Sequence, residues 1–148
     1  MQRRGFLQAL LGAMLILPIH AFAKIASLTW NKPAFEATQL AAASERLNIA
    51  NEIASHDIEL VAPDRAENGA IVQVQVTSRI THTESITLLV EHNPTPLIAT
   101  FVFANGAEPF VVTRIKMADT SNIKVVVKAG GQYFTATKNV EVLENGCG

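Results

Sequence analysis

Apolar and polar residues alternate with a period of two along much of the chain. In residues 72–76 valines alternate with glutamines, and in residues 123–127 apolar side chains again occupy every second position. Successive side chains of a β-strand point to opposite faces, so this alternation is typical of strands with one buried face. Both segments are therefore predicted to be half-buried strands.

Further segments rich in β-branched and aromatic residues lie between turn-forming residues. These predicted strands are 58–62, 85–91, 98–103, 110–116, 132–137 and 140–143. The turns between them contain Asn68-Gly69, the Asn-Pro-Thr-Pro of residues 93–96, Asn105-Gly106 and Gly130-Gly131. Short strands at this spacing predict a mainly β fold, an immunoglobulin-like antiparallel β-sandwich.

One segment has a composition that favours helix. Residues 35–47, FEATQLAAASERL, are rich in Ala, Leu and Glu, contain no Gly or Pro, and follow Pro33. Ala, Leu and Glu are good helix formers, and Pro is common in the first turn of a helix. The pattern predicts one amphipathic helix that precedes the strands.

Some predicted strands are apolar on both faces. Leu89 and Val126 interrupt the polar sides of their strands, and residues 110–112 are continuously apolar. A strand of this kind has both faces buried, so one outer face of the sandwich is predicted to be covered. The cover is either the N-terminal helix or a partner protein, and the small size of the helix favours a partner.

The first residues, MQRRGFLQALLGAMLILPIHAFA, have a basic start, an apolar stretch at 6–17 and a small-x-small ending. This pattern predicts a cleavable export signal over residues 1–23, with Lys24 as the new N-terminus and a periplasmic product. Arg3-Arg4 favours a twin-arginine signal over an ordinary secretory one, and the apolar stretch is short for a membrane span. The predicted division is signal 1–23, sandwich domain 24–143 and C-terminal arm 144–148.

The composition excludes partners that bind through a strong electrostatic field. The 148 residues include 12 Lys and Arg against 13 Asp and Glu, a formal net charge of -1. Nothing in this balance attracts nucleic acid or an anionic membrane. A chain of this length also buries a sufficient core without a disulfide or a metal.

The single cysteine, Cys147, lies between Gly146 and Gly148. An oxidising compartment normally pairs cysteines, so this one is either a reactive thiol or half of an intermolecular disulfide. No activating base or cation lies near it in sequence, which argues against independent catalysis. It lies three positions beyond Glu144, a reach of about 10 Å, so the thiol can enter another protein's active site. From composition alone, this carrier arm and a frayed tail with an incidental or dimer-forming cysteine are equally supported.

No other residues form a recognisable catalytic or metal site. His56, His82 and His92 do not lie at metal-ligand spacing from one another, and no cofactor or metal is predicted. The acidic residues Asp57, Asp64 and Glu67 flank a strand and a turn, where carboxylates are ordinarily solvated.

Three segments carry a resemblance to a known family. APDRAENGA at 62–70, NPTPLIATF at 93–101 and TRIKMADTSNI at 113–123 are its most specific parts, and it extends over most of the mature chain. With these motifs the chain resembles the SoxY family, the sulfur-carrier subunits of the periplasmic thiosulfate-oxidising Sox system. The resemblance implies an immunoglobulin-like fold and a carrier rather than an enzyme. It also suggests Lys116 and Met117 as part of a docking surface, although solvation at a strand end explains Lys116 equally well.

The resemblance further implies partners and a covalent site. Family members pair with a SoxZ subunit and hold sulfur on a C-terminal cysteine, which corresponds to Cys147 here. A haem-containing SoxXA enzyme conjugates thiosulfate to that cysteine, the hydrolase SoxB releases sulfate, and in some systems a sulfane dehydrogenase oxidises the remaining sulfur. The family's arm is Gly-Gly-Cys-Gly-Gly, whereas this chain has Asn145 at the first glycine and lacks the last one.

Two alternatives to a carrier follow from the residues. One is a divergent periplasmic immunoglobulin-like binding module whose Cys147 forms an intermolecular disulfide. The other is a thiol redox enzyme, which needs a resolving cysteine or an activating base that the sequence does not contain.

Overall fold

The computed structural model describes residues 30–144, which begin with two short helices. Helix α1 spans Lys32–Phe35 and helix α2 spans Leu40–Arg46. The sequence predicted one helix over 35–47, but extended backbone at Gln39 divides it. Ala34 and Ala43 are nine residues apart, about two and a half turns, so a continuous helix would point them in opposite directions. The interruption lets both helices bury their alanine.

Nine strands follow the helices. They are β1 (Ile53–Ala54), β2 (Ile58–Val61), β3 (Arg65–Asn68), β4 (Val72–Ser78), β5 (Thr83–Val90), β6 (Leu97–Val102), β7 (Phe110–Ile115), β8 (Ser121–Ala129) and β9 (Gln132–Glu144). The large sheet has the order β1-β9-β8-β5-β6, with β3 also paired to β9, and the small sheet has the order β2-β4-β7. The predicted mainly β, immunoglobulin-like sandwich is confirmed.

The core lies between the two sheets. Val72, Val74 and Val76 of the small sheet are fully buried, as are the alternate residues Ile123, Val125 and Val127 of the large sheet. These are the positions at which the period of two predicted an inward-facing side chain.

The outer face of the large sheet is covered by the helices. Leu89 and Val126 are buried in a second apolar cluster together with Ala34 and Ala43. The expectation that a partner protein covers Leu89 and Val126 was therefore wrong. Two short helices suffice because their small residues allow close approach to the sheet.

The outer face of the small sheet is uncovered among the described residues. Val61, Phe110 and Val112 point away from the core and are each about half exposed, at 48%, 45% and 51%. This is the second place where the sequence showed apolar residues on both faces of a strand.

Strand β9 differs from its prediction because it is continuous over thirteen residues. The sequence predicted two strands, 132–137 and 140–143, separated at Lys138 and Asn139. Both residues lie within the strand, where Lys138 forms an ion pair with Asp64 and Asn139 donates to Asn122. The β8–β9 turn is formed by Gly130 and Gly131 with φ of 56° and 76°, as its two glycines indicated.

Candidate functional site

The end of β9 is held on one side by β3. The two strands run parallel, with Arg65 opposite Glu141 and Asn68 opposite Glu144. The backbone N–H of Gly69 donates to the carbonyl oxygen of Glu144 at 2.9 Å. Glu144, which the sequence assigned to the arm, is thus the last residue of the strand, and the chain beyond it starts from a fixed point.

The other side of β9 is held by the loop between β7 and β8. The hydroxyl oxygen of Thr120 accepts a hydrogen bond from the N–H of Val142 at 2.9 Å. His92 supports the same loop, since its backbone N–H donates to Ser121 Oγ at 3.0 Å and its Nδ1 lies 2.9 Å from the Thr120 carbonyl oxygen. Strand β9 therefore has hydrogen-bond partners on both sides as far as Val142, and on the β3 side as far as Glu144.

Asn93 connects two loops at this end of the sandwich. Its side-chain amide donates to the carbonyl oxygen of Lys116 at 2.8 Å and accepts from the N–H of Ala118 at 2.8 Å. An amide that hydrogen-bonds to both a donor and an acceptor of another loop holds the two loops at a fixed distance from each other. The β5–β6 loop is in this way tied to the β7–β8 loop.

Gly69 joins this network to the end of β9. Its carbonyl oxygen accepts from the N–H of Met117 at 2.8 Å, while its own N–H binds Glu144. We call this set, comprising Gly69, Asn93, Met117, Thr120 and Glu144, the arm root. The segments 62–70, 93–101 and 113–123, which carried the family resemblance, all contribute to it.

Charges near the arm root are partly paired. Arg65 and Glu141 form an ion pair at 2.9 Å, and Lys138 and Asp64 form another at 2.9 Å. Most of these side chains are well exposed, so each pair contributes little stability. Lys116 is exposed and forms no ion pair with a carboxylate of residues 30–144.

The predicted site residues Asn145, Gly146, Cys147 and Gly148 lie outside the described residues, as does the predicted signal 1–23. The structure instead gives their point of attachment at Glu144. Sequence reasoning missed Gly69, Asn93 and Thr120 as the residues that hold this point. The family motifs contained all three, but nothing in their spacing showed that they meet.

The remaining candidates do not come together. His56, His82 and His92 are exposed, and within residues 30–144 no three His, Cys, Asp or Glu side chains form a group able to hold a metal ion. The docking role suggested for Met117 is wrong for its side chain, which is fully buried. A cleft of about 460 Å³, lined by His82, Glu84 and Asn105 among others, lies near the opposite end of the sandwich.

Comparisons with known proteins agree with the resemblance found in the sequence and with the observed fold. The family model described as "Sulfur oxidation protein SoxY" matches residues 45–147. The structure is similar to that of the sulfur carrier protein SoxY from Chlorobium limicola f thiosulfatophilum, with 34% sequence identity and a TM-score of 0.62. The match covers 69% of this chain and 93% of that one. A search of curated proteins gave no match.

The fold and these similarities define the class of the protein, an immunoglobulin-like sulfur carrier that functions in sulfur oxidation. The chain belongs to the SoxY family. Among residues 30–144, no helix is long and apolar enough to cross a membrane.

Proposed function

We propose that Cys147 carries sulfur intermediates of thiosulfate oxidation covalently and that residues 145–148 act as a swinging arm. The observation that supports this most is the arm root. A backbone hydrogen bond from Gly69 holds Glu144 on the β3 side, Thr120 holds Val142 on the other side, and the cysteine follows Glu144 three positions later, within about 10 Å. The thiol is thereby close enough to the sandwich to be presented reliably and far enough from it to enter a partner's active site.

The chemistry requires partners, because the carrier supplies only the thiol. In the loading step the Cys147 thiolate and thiosulfate form an S–S bond, and the two electrons released pass to a SoxXA-like haem enzyme. In the next step a SoxB-like hydrolase adds water, releases sulfate and two protons, and leaves a persulfide on Cys147. A sulfane dehydrogenase is the further partner where the persulfide sulfur is oxidised, and a SoxZ-like subunit completes a heterodimer.

The proposed site is the periplasm. The basic, apolar and small-residue segments of residues 1–23 support export, and Arg3-Arg4 supports the twin-arginine route. A thiol with no second cysteine in its own chain cannot close an intramolecular disulfide, so it remains available for conjugation in an oxidising compartment. We assign the protein no catalytic residue of its own and no cofactor beyond the sulfur adduct.

The test is the mass of the mature protein taken without reductant from cells given thiosulfate. We expect thiosulfonate or persulfide adducts that map to the C-terminal peptide and disappear in Cys147→Ser. A bare thiol, or only a disulfide-linked homodimer, would contradict the carrier function and favour a binding module. A mass shift that persists in Cys147→Ser would show that the adduct is elsewhere.

A further inference from the structure

The outer face of the small sheet carries an apolar patch that continues into a basic one. Val61, Phe110 and Val112 form the apolar part. Arg114 follows on the same face of β7, because alternate residues of a strand share a face, and Lys116, the first residue after β7, is exposed beside it. We call these five residues the docking face.

The two parts of the docking face differ in charge. At the apolar end the nearest charged groups, Glu59 and Arg79, neutralise each other in an ion pair. At the basic end neither Arg114 nor Lys116 forms an ion pair with any carboxylate of residues 30–144. A complementary surface therefore has an apolar centre with carboxylates on one side.

The basic end of the docking face adjoins the arm root. The carbonyl oxygen of Lys116 is held by Asn93, and the next residue, Met117, donates to Gly69, which in turn binds Glu144. Neighbouring strands lie about 5 Å apart, so two such steps place Met117 within about 10 Å of Glu144. A protein seated on this face has its nearest edge within reach of the arm.

From this arrangement we propose that the docking face binds the enzyme that loads the arm, through an apolar surface flanked by carboxylates beside the entrance to its active site. The inference rests on the proposed carrier function and names the surface that serves it. Three half-exposed apolar side chains among Gln73, Gln75 and Thr77 make a small, mixed surface. Such surfaces are typical of transient encounters, in which a carrier must leave after each reaction.

The test measures loading of Cys147 from thiosulfate by the haem enzyme of the same organism, with the carrier concentration varied. One variant reverses the basic end, Arg114→Glu with Lys116→Glu, and another places a carboxylate in the apolar part, Val112→Asp. We expect the KM for the carrier to rise about tenfold or more in each with kcat unchanged, because docking is weakened and the chemistry is not. The charge reversal should also reduce the dependence of kcat/KM on salt.

Matched controls keep the result specific. Lys128→Glu reverses a charge on the large sheet, at the end of β8 that is far from the arm root. Val112→Thr keeps the shape of the side chain and lacks the charge that Val112→Asp introduces. Both should retain a KM within about twofold of the wild type, since Lys128 lies outside the docking face and Val112→Thr keeps the shape of the side chain and adds no charge. Val112, Arg114 and Lys116 are exposed and Lys128 is half-buried, and far-UV circular dichroism checks that every variant is folded.

Several outcomes would overturn the inference. An unchanged KM in both docking-face variants would show that this surface does not bind the loading enzyme. An equal rise of KM in Lys128→Glu would show that the effect comes from the overall charge of the carrier and not from the docking face. Loss of the SoxZ-like subunit from the variants would assign the face to the stable heterodimer instead. If Cys147 of the wild-type protein is not loaded with sulfur, the proposed carrier function is wrong, and the inference about the docking face is wrong as a consequence.

Discussion

Asn93 is the residue on which the order of the arm root depends most. Its side chain provides both hydrogen bonds described between the β5–β6 loop and residues 116–118. Neither backbone partner has an alternative side-chain donor or acceptor among the hydrogen bonds of residues 30–144. A partly buried amide of this kind has a large effect when removed, because it leaves unsatisfied groups behind.

We expect Asn93→Ala to lower the free energy of unfolding by about 1–3 kcal/mol, the cost of leaving a backbone donor and acceptor without partners. Urea unfolding measures this loss. Asn139→Ala is the matched control, since its amide makes one exposed hydrogen bond to Asn122 and should cost about 0.5 kcal/mol or less. Equal losses in the two variants would show that Asn93 is not a connection between loops.

At the residue scale the sequence indicates the proposed chemistry of Cys147 but not the residues that hold its point of attachment. Cys147 is identifiable from its isolation between two glycines. Gly69, Asn93 and Thr120 could be recognised only as turn residues, because what they hold lies 22 to 75 positions away along the chain. Turn chemistry is a local signal, whereas the partner that a turn side chain finds depends on the fold.

At the scale of elements, the two helices replace the partner protein expected over Leu89 and Val126. Ala43 lies at the centre of this contact and is fully buried, whereas Ala41 of the same helix is exposed. The docking of the helices thus depends on which alanine faces the sheet.

Substitution of aspartate for each of these alanines separates packing from helix propensity. Ala43→Asp should lower the free energy of unfolding by about 2–4 kcal/mol, because it buries a charge without a partner. Ala41→Asp introduces the same residue in the same helix and should cost less than about 1 kcal/mol. Denaturant unfolding followed by circular dichroism gives both values, and similar losses would mean that α2 does not pack on the sheet as described.

The errors in the predicted elements have a common physical origin. Residues 53–54 and 65–68 were not predicted as strands because they are short and pair in parallel with β9, 81 and 76 residues further on. Lys138 and Asn139 interrupt the predicted strand because both are polar, but in the structure they point to opposite faces of a continuous strand, with Lys138 on the same face as Val140. Strands with strong alternation, such as β4 and β8, were predicted within a few residues because their burial pattern is local.

For the whole molecule, removal of residues 145–148 should leave the stability of the sandwich unchanged. The hydrogen bonds of the arm root involve residues up to Glu144. A chain that ends at Glu144 should therefore keep its melting temperature within about 2 °C of the full chain while losing all loading of sulfur. Differential scanning calorimetry and the mass of the protein after incubation with thiosulfate and the haem enzyme measure the two effects.

A chain that ends at Val140 is the corresponding control. It loses the pairing of Glu141 to Glu144 with β3, the hydrogen bond that the N–H of Val142 donates to the Thr120 hydroxyl, and the burial of the Val142 side chain. Burial of a valine contributes about 1.5–3 kcal/mol on its own, so this truncation should be strongly destabilising. If the chain that ends at Glu144 were destabilised as much as the chain that ends at Val140, residues 145–148 would be part of the fold and not an arm.

The placement of β9 also determines how the molecule responds to a pulling force. A partner that grips the arm pulls on β9 along its length, while β8 and β3 hold the strand from both sides. The hydrogen bonds to antiparallel β8 are perpendicular to β9 and those to parallel β3 are slanted, so both sets cross the direction of the pull and are loaded together. If residues 145–148 act as the proposed arm, the sandwich resists the pull of a bound partner in shear along β9.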